Sequence, residues 1–484
     1  MDKLPVEILG IIAGILRDNS YKHTSKYGIA SHSAISSTWQ HAIEPWTFES
    51  LRIRSDQLNT LSRTLSPRRC RYIRRIYYTV IIPFDEADVQ PTEQKARFSE
   101  AFTDALRRLF RVLAENNDSG GRGRVKLEVV KVRSLKDIDS WTPRSEYLEP
   151  HIGLVDYDDL PVVHSISGLK LSEDQKARKT SLLTGPLLAA RLPNLSSMTL
   201  EGYDYSSTAE DTPLAVSMHD WRHRLAVTLA DERFVAGSHL RHVTLEADAF
   251  DPNPWRKEGF VAPNYCVANE AGMYDPLGAA LRNWSQTLSS LQLRGSFDGS
   301  LFWPSGAEPP EVAMRVASPS TPRWPYLEKF ITHLSVCSPD GMWYFDCPPG
   351  EVRRSLPNDG ALQALFAAWV RALSHMPALK QASLYWSLKV GDPRNSHSAE
   401  NHWAVSFLAP GIPHDWWVHQ KLEGWEDGIA PDEARHPRLL FDAMQGWRPK
   451  ETTMDMIHEI ARRRFPGTEL ITLSVDPKGK VTRE

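Results

Sequence analysis

One hydrophobic pattern recurs along most of the chain and constrains its fold more than any other feature. The pattern is LxxLxL, in which mostly aliphatic residues hold the first, fourth and sixth positions of a short stretch that favours β-structure. Between Leu200 and Leu384 the final positions of successive copies lie 45, 48, 43 and 48 residues apart. The copies span 127–132, 195–200, 240–245, 288–293, 331–336 and 379–384, and a last copy spans 470–475.

Stretches with helical periodicity precede several of these copies. A unit made of a helix, a turn and a strand cannot bury its own apolar face, so stacking such units builds one continuous core. The handedness of crossover connections then places the strands in a parallel sheet and the helices together on its outer face. The pattern therefore predicts a mixed α/β fold. The helical stretches span 221–234, 276–288, 361–373 and 453–465.

The recurring form resembles leucine-rich repeats, although its spacing is nearly twice the roughly 20–29 residues of a regular repeat. No asparagine of the repeat type follows the strands. We interpret 56–484 as an irregular leucine-rich-repeat-like α/β solenoid with long insertions, among them a Trp-rich insertion at 385–450. The alternative is an irregular α/β domain whose strands share only a hydrophobic pattern.

Two shorter segments of the first half also have clear periodicity. The β-branched and aromatic residues of 72–82 predict a strand, and five arginines lie between 68 and 75 just before and within it. We interpret those arginines as a solvated face, the alternative being a nuclear address or a phosphate-binding patch. A helix is predicted over 93–116, with one apolar stripe made of Phe98, Phe102, Leu106, Leu109, Phe110 and Leu113.

The first fifty residues predict two amphipathic helices. The chain opens Leu-Pro-Val-Glu-Ile-Leu over 4–9, where Pro5 suits a first helical turn and the following aliphatic residues fall on one face. After a polar insert at 17–26, Ile35, Trp39 and Ile43 repeat at helical spacing, and Pro45 is predicted to end or bend that second helix.

Three motifs in this region together resemble an F-box of the form common in fungal F-box proteins. They are Leu-Pro-x-Glu-Ile-Leu at 4–9, Ser-x-x-Trp at 36–39 and Trp-x-Phe-x-x-Leu at 46–51. The resemblance covers residues 1–55 and implies a helical module that docks on a Skp-family adaptor, and through it on a cullin–RING ubiquitin ligase. The polar insert departs from the family pattern. The alternative is an ordinary helical cap on the following domain.

Carried over by position, the resemblance implies which residues serve the adaptor. Five of them would face it, and two more would complete the module. The whole chain would then be the substrate-recognition subunit of a Skp–cullin–F-box ubiquitin ligase, acting in ubiquitin-dependent degradation. Alternatives are a non-ligase interaction scaffold and an α/β enzyme with an unrecognised site. The adaptor-facing residues are Leu4, Pro5, Ile8, Leu9 and Ile12, and the completing ones are Trp39 and Ile43.

The long insertions follow the predicted strands and are expected to gather at one rim of the solenoid, at the strands' C-terminal ends. Acidic and aromatic residues there predict a protein target that is basic or of mixed charge, with the aromatic side chains as anchors. The alternative is that the tryptophans cap the core. The target-binding residues predicted are Asp156, Asp158, Asp159, Trp255, Trp303, Trp343, Trp416 and Trp417.

The composition and charge of the chain argue against some classes of partner and some cellular compartments. A net charge of −3 gives no electrostatic reason to expect nucleic acid or an anionic membrane as a partner. No apolar run reaches the roughly 18 residues of a membrane span, and charges at Asp2, Lys3 and Glu7 argue against a signal peptide. The 4 cysteines show no paired spacing, so we expect the cytoplasm, the nucleus or both.

Catalytic motifs are missing from the sequence. His458-Glu459 lacks the second histidine of a HExxH zinc site, because Arg462 occupies that position. The sequence has no GxSxG motif and no Walker loop. We therefore expect no enzymatic activity, no metal and no cofactor.

Overall fold

A computed structural model shows a mixed α/β protein whose described residues fall into two compact units. Unit 1 is Met1–Gly202 with Gly237–Leu240, and unit 2 is Tyr203–Ala236 with Arg241–Glu484. The structure describes residues 4–22, 35–82, 91–115, 124–134, 152–172, 180–203, 212–231, 239–248, 264–309, 321–349, 354–389, 400–413, 432–442, 446–475 and 481–483.

Unit 1 begins with a pair of helices, α1 (Val6–Lys22) and α2 (Ser37–Glu49). Ser36 caps α2, since its hydroxyl accepts a hydrogen bond from the Trp39 amide at 3.3 Å. Pro45 lies inside α2 and does not end it, in contrast to one of the two expectations from the sequence. The two helices contact one another.

The rest of unit 1 is a parallel sheet with helices between its strands. The five strands lie in chain order, from β1 to β5, and every described neighbouring pair is parallel. The elements are β1 (Ser50–Arg54), α3 (Leu58–Thr64), α4 (Pro67–Cys70), β2 (Arg75–Ile82), α5 (Pro91–Glu115), β3 (Val125–Ser134), β4 (Ile166–Leu171), α6 (Thr184–Ala189) and β5 (Ser197–Tyr203).

One face of this sheet forms the core of unit 1. Along β2, burial alternates from residue to residue, which leaves the opposite face more accessible. Helix α5 contacts β2, and the Tyr78 hydroxyl donates a hydrogen bond to the Ala105 carbonyl of α5 at 2.8 Å. The predicted strand over 72–82 and the predicted helix over 93–116 are both confirmed. All six residues of the predicted helical stripe are buried.

Unit 2 also contains a sheet, in the order β6, β9, β10, β13, β14, β15, β16, β17. Its first four strands are parallel and follow one another in the chain. The elements are α7 (Thr212–Leu229), β6 (His242–Asp248), β7 (Val267–Asn269), β8 (Gly272–Tyr274), α8 (Pro276–Ser285), β9 (Ser290–Gly295), β10 (Lys329–Leu334), β11 (Phe345–Asp346), β12 (Leu356–Pro357), α9 (Asp359–Leu373), β13 (Gln381–Lys389), β14 (Glu400–Leu408), β15 (Arg438–Asp442), α10 (Glu451–Arg464), β16 (Ile471–Val475) and β17 (Val481–Arg483).

The LxxLxL copies coincide with strands, and Leu200, Leu245, Leu293 and Leu384 are buried as predicted. In unit 2, Leu245 lies opposite Leu293, and the same row continues to Leu384 through Thr332 of β10. These residues therefore line one buried face of the sheet.

The copy predicted at 331–336 is out of phase with its strand. Ile331 lies on the opposite face from Phe330, and Val336 follows the end of β10. The residues that match the neighbouring strands are Leu327, Phe330 and Thr332, which are all buried. The predicted copy thus lies four residues too far along the chain. Because four is an even number, Leu334 still falls on the buried face, whereas Ile331 and Val336 do not match the neighbouring strands.

Described residues of the Trp-rich stretch at 385–450 contribute strands to the sheet. They form β14 and β15, which pair antiparallel with β13 and with one another. The last LxxLxL copy, β16, is consequently parallel to β15 and does not adjoin β13. All five residues of β15 are buried, so the sequence shows no alternation there that could have indicated a strand.

Helices of unit 2 pack in pairs, α7 against α8 and α9 against α10. None of the helices in the described part of the chain combines the length and the apolar character needed to cross a membrane.

Candidate functional site

The α1–α2 pair has a small core of its own. Leu9 and Ala13 of α1 pack against Trp39, Ala42 and Ile43 of α2, and all five side chains are buried. Ile12 and Trp46 are partly buried against this cluster. Spacings of three to four residues bring these positions onto facing sides of the two helices.

A second apolar stripe of α1 is left in solvent. The stripe contains Ile8, Ile11 and Ile15, and it is continued by Leu4 just before the helix. These residues are 39% (Leu4), 42% (Ile8), 61% (Ile11) and 57% (Ile15) exposed. Ile35, just before α2, is 53% exposed. Single exposed apolar residues are common on proteins, but four on one helical stripe are typical of an interaction surface.

The residues predicted to serve an adaptor divide between these two faces. Leu4, Pro5 and Ile8 are exposed and Ile12 is half-buried. Leu9 was expected to face the adaptor, but it is fully buried against α2, because it lies about 100° around the helix from Ile8. The exposed stripe also includes Ile11 and Ile15, which the resemblance did not assign to the adaptor. Trp39 and Ile43, expected to complete the module, lie in its core.

An ion pair joins α2 to the short helix α4 that precedes β2. The Arg69 guanidinium donates to Glu44 Oε1 from both Nε, at 2.9 Å, and Nη2, at 2.7 Å. Arg68 lies 3.5 Å from the other oxygen of the same carboxylate. Burial acts to raise the pKa of Glu44, but the hydrogen bonds from Arg69 and Gln40 and the two arginine charges outweigh it, and its pKa is lowered.

The arginines between 68 and 75 are thus more than a solvated face. Arg68 and Arg69 bind Glu44, and Arg69 also stacks on the Phe48 ring at 5.1 Å from its centroid. Arg75 donates to the Tyr77 hydroxyl at 3.0 Å. At least two of the five charges therefore hold the helix pair to the rest of unit 1.

The predicted acidic residues lie in unit 1, in the segment that leads into β4. Asp156 has a left-handed backbone conformation, with φ of 49°, and a 3₁₀ turn over Tyr157–Asp159 follows it. Asp158 accepts a hydrogen bond from Arg191, at 2.9 Å, in the segment that leads into β5. These aspartates therefore precede their strands, whereas the sequence had placed them at C-terminal ends.

Of the predicted tryptophans, Trp303 and Trp343 lie in unit 2. The Arg354 guanidinium carbon lies 3.9 Å from the centre of the Trp343 ring. Trp255, Trp416 and Trp417 lie outside the described residues. The predicted acidic residues thus belong to unit 1, and the two described tryptophans belong to unit 2.

A cavity of about 500 Å³ lies in unit 2, where β9 and β10 end. The segments after these two strands supply Asp298, Trp303 and Asp340 to its lining. Helix α9 contributes alanines, whose small side chains keep the cavity open on that side. Pockets at the carboxyl ends of parallel strands are common ligand sites, because several loops converge there. This volume falls within the roughly 300–1,000 Å³ of typical ligand pockets.

Among the described residues, neither aspartate of the cavity forms an ion pair with a basic side chain. Asp298 accepts hydrogen bonds from the Ser300 amide at 2.8 Å and from the Ser300 hydroxyl at 2.5 Å. Asp340 accepts hydrogen bonds from the Met342 amide at 3.2 Å and from the Ser338 hydroxyl. Burial, followed by the negative charge of Asp275, raises the pKa of Asp298 to about 6. Asp275 itself is paired with Arg222 at 2.8 Å, so its own charge is balanced.

Aromatic and thioether groups form much of the remaining lining. Trp303 packs against His375, with ring centroids 5.1 Å apart, and the Arg371 guanidinium lies 5.4 Å from the Trp303 ring centre. Met273 and Met342 line the cavity and are about half exposed. Trp303 is the one predicted tryptophan among the described lining residues.

Sequence reasoning missed Asp298 and Asp340. Each of them follows a parallel strand within a few residues. Because the carboxyl ends of neighbouring parallel strands lie at one edge of the sheet, that position could have indicated two residues of one site. Within the described ranges, no group of three or more His, Cys, Asp or Glu side chains is placed to hold a metal ion.

No protein-family model and no curated protein matches the chain.

Proposed function

We propose that the chain is a substrate-recognition subunit of a Skp–cullin–F-box ubiquitin ligase. In this proposal the α1–α2 pair is the F-box module, and a Skp-family adaptor covers the exposed stripe of Leu4, Ile8, Ile11 and Ile15. The observation that carries the proposal is the division of α1 into two apolar faces. One face is already filled by α2, while the other is exposed.

The energetic case rests on the area still exposed on that stripe. Full burial of a Leu or Ile side chain is worth roughly 1.5–3 kcal/mol relative to exposure. Because these four residues are about half exposed, an adaptor that covers them gains on the order of 1 kcal/mol from each. Together with polar contacts at the edge of the interface with the adaptor, this gain in free energy is enough for a specific complex.

Residues 56–484 would form a leucine-rich-repeat-like solenoid that binds the target protein. The support is that β2 to β5 in unit 1, and β6, β9, β10 and β13 in unit 2, follow the chain order in parallel sheets. The antiparallel strands from β14 onward would end the array, because they interrupt the repeat of helix and parallel strand.

The protein itself would perform no bond chemistry. It would hold the target so that lysines of the target are concentrated near the conjugating enzyme that the cullin recruits. The partners are then a Skp-family adaptor, the cullin that binds it, and a protein target, in the cytoplasm or the nucleus.

The test replaces exposed apolar residues by lysine, which is a good helix former and places a charged ammonium group where the apolar contact would form. We expect Ile8→Lys with Ile11→Lys to lower affinity for a purified Skp-family adaptor at least about tenfold, since each loses about 1 kcal/mol or more of apolar contact. The matched control is Val227→Lys on α7, because Val227 is 59% exposed on a helix of unit 2. Unchanged adaptor affinity in the double variant, with unchanged circular dichroism, would remove the basis of the proposal.

A further inference from the structure

The cavity of unit 2 contains more negative than positive charge. Asp298 and Asp340 accept hydrogen bonds only from neighbouring serines and amides, and neither forms an ion pair among the described residues. The lining has a single described basic residue, Arg371, which is exposed and stacked on Trp303. Two carboxylates and one guanidinium leave the lining with an excess of negative charge, which favours a cationic ligand.

Three neighbouring arginines have other partners. Arg222 is buried and bound to Asp275 at 2.8 Å. Arg282 is likewise buried and bound to Glu308. Arg354 stacks on Trp343. Within the described part of the chain, none of these three guanidinium groups forms an ion pair with Asp298 or Asp340.

The shape and chemistry of the lining favour a guanidinium over an ammonium group. A guanidinium is planar and weakly hydrated, donates in two directions and stacks on aromatic rings, whereas an ammonium is a compact, strongly hydrated charge. The lining offers two separate carboxylates and the Trp303 ring. Arg371 shows that this ring accepts a guanidinium on its face. Met273 and Met342 add flexible apolar walls for a methylene stem.

We propose that this cavity binds the arginine side chain of a partner protein, with its guanidinium between Asp298 and Asp340 and its stem against Met273 and Met342. The inference deepens the proposed function, on which it rests only for identifying the partner as the ligase target. It stands on the cavity and its charges whether or not an adaptor binds α1.

A residue within a polypeptide suits this site better than free arginine. Free arginine carries a charged α-ammonium and a charged α-carboxylate, and both lose hydration when they approach the cavity, whereas a residue within a chain has neutral amides in their place. Arginine is also one of the three residues that most often dominate the energy of a protein interface. The cavity would thus provide one anchor within a larger contact.

The experiment uses the full chain labelled with ¹³C at its methionine methyl groups, because two methionines line the cavity. The probe is an acetylated and amidated Gly-Arg-Gly peptide. The comparison probe has citrulline in place of arginine and therefore the same shape without the charge. The resonances of Met273 and Met342 are assigned from Met273→Leu and Met342→Leu. We expect the arginine peptide to shift these two resonances alone, and the citrulline peptide to leave them unchanged.

Two charge variants complete the test. Asp340→Asn, and separately Asp298→Asn, should weaken binding about tenfold, as expected for loss of a charge-assisted hydrogen bond. Asp432→Asn is the matched control, because Asp432 is exposed elsewhere in unit 2. Equal shifts by the citrulline peptide, or undiminished binding by both cavity variants, would overturn the proposal. Free arginine binding as tightly as the peptide would overturn the assignment to a protein partner. None of these outcomes depends on adaptor binding, so the two proposals can fail separately.

Discussion

Arg69 and Glu44 are joined by two hydrogen bonds that reach a single carboxylate oxygen, at 2.9 and 2.7 Å. The two residues are 25 positions apart and belong to α4 and α2. Glu44 is only 5% exposed, so solvent screens this pair less than it screens a surface pair. The contact fixes the helix pair to the part of unit 1 that contains the sheet.

Replacing Glu44 by Gln should therefore destabilise unit 1. We expect a loss of about 1–2 kcal/mol in the free energy of unfolding at pH 7, because the arginines lose a charged acceptor. Urea titration followed by circular dichroism measures it. The control is Glu93→Gln, which removes an exposed pair with Arg97 and should cost less than about 0.5 kcal/mol.

The pH dependence of that loss has a defined sign. The pKa of Glu44 is lowered in the folded protein, so its stabilisation is present above the ordinary carboxyl pKa of 4.5 and is lost as pH falls through the folded value. The difference between wild type and Glu44→Gln should thus shrink below pH 4.5. A difference that grows on acidification would contradict this assignment.

Asp298 should behave in the opposite way. Its pKa is raised from 3.8 to about 6, so the folded protein holds a proton that the unfolded chain has released. Stability from this group is greatest below pH 4 and falls as pH rises to about 6. The change that Asp298→Asn makes in the free energy of unfolding should then be more stabilising at pH 8 than at pH 4. The difference between the two changes should be at most about 3 kcal/mol. An equal effect at both pH values would show that Asp298 does not carry this charge penalty.

Adjacent residues of α1 should separate folding from binding. Leu9 is fully buried, and Leu9→Ala should destabilise the helix pair by about 2–5 kcal/mol. Ile8 is 42% exposed, so Ile8→Ala should change stability little and lower adaptor affinity instead. Amide hydrogen exchange over α1 and α2 reports the first effect, and adaptor titration reports the second.

The double change of Leu4 and Pro5 to Ala extends this comparison. Both residues are exposed, and we expect adaptor binding to be lost while the sheets of both units keep their exchange protection. Undiminished adaptor binding would contradict the assignment of this end of α1 to the adaptor.

Thr332 provides a test of the buried row in unit 2. Its side chain is fully buried between Leu293 and Leu384, and its hydroxyl has no hydrogen-bond partner among the residues that the structure describes. Thr332→Val should therefore stabilise the protein by about 1 kcal/mol, because an unpaired polar atom is removed at nearly constant volume. Thr103→Val is the matched control and should destabilise, since the Thr103 hydroxyl both donates to Ser99 and accepts from Val155.

The sequence predicted the α/β class and most parallel strands, because their buried residues alternate along each strand. The same template, applied more widely, fits Ile166, Leu169 and Leu171 of β4, which sequence reasoning overlooked. At β10 it failed for a physical reason. Phe330 and Thr332 occupy buried positions, while the aliphatic Ile331 lies on the opposite face, so a search for aliphatic residues selected the wrong register.

The candidate sites were less predictable than the fold. Helical periodicity indicated an apolar α1, but it could not decide which of two apolar faces α2 would cover, and so Leu9 was assigned to the wrong one of these two faces. The cavity depends on Asp298 and Asp340, which are 42 residues apart and meet only because β9 and β10 are neighbours. No local pattern in the sequence indicates that β9 and β10 are neighbours in the sheet.

Helix α2 ends at Glu49 and β1 begins at Ser50, so no residue between them can act as a hinge. The hydrogen bonds of Arg69 to Glu44 restrain the same junction, so we expect α2 and β1 to move together as one rigid body. Under the proposed function, a tilt of the helix pair on its adaptor would be transmitted to the sheet of unit 1 as a rotation instead of being absorbed by a tether. The lysines of the target that are modified would then depend on the angle at which the helix pair sits on the adaptor and on their distance from the conjugating enzyme.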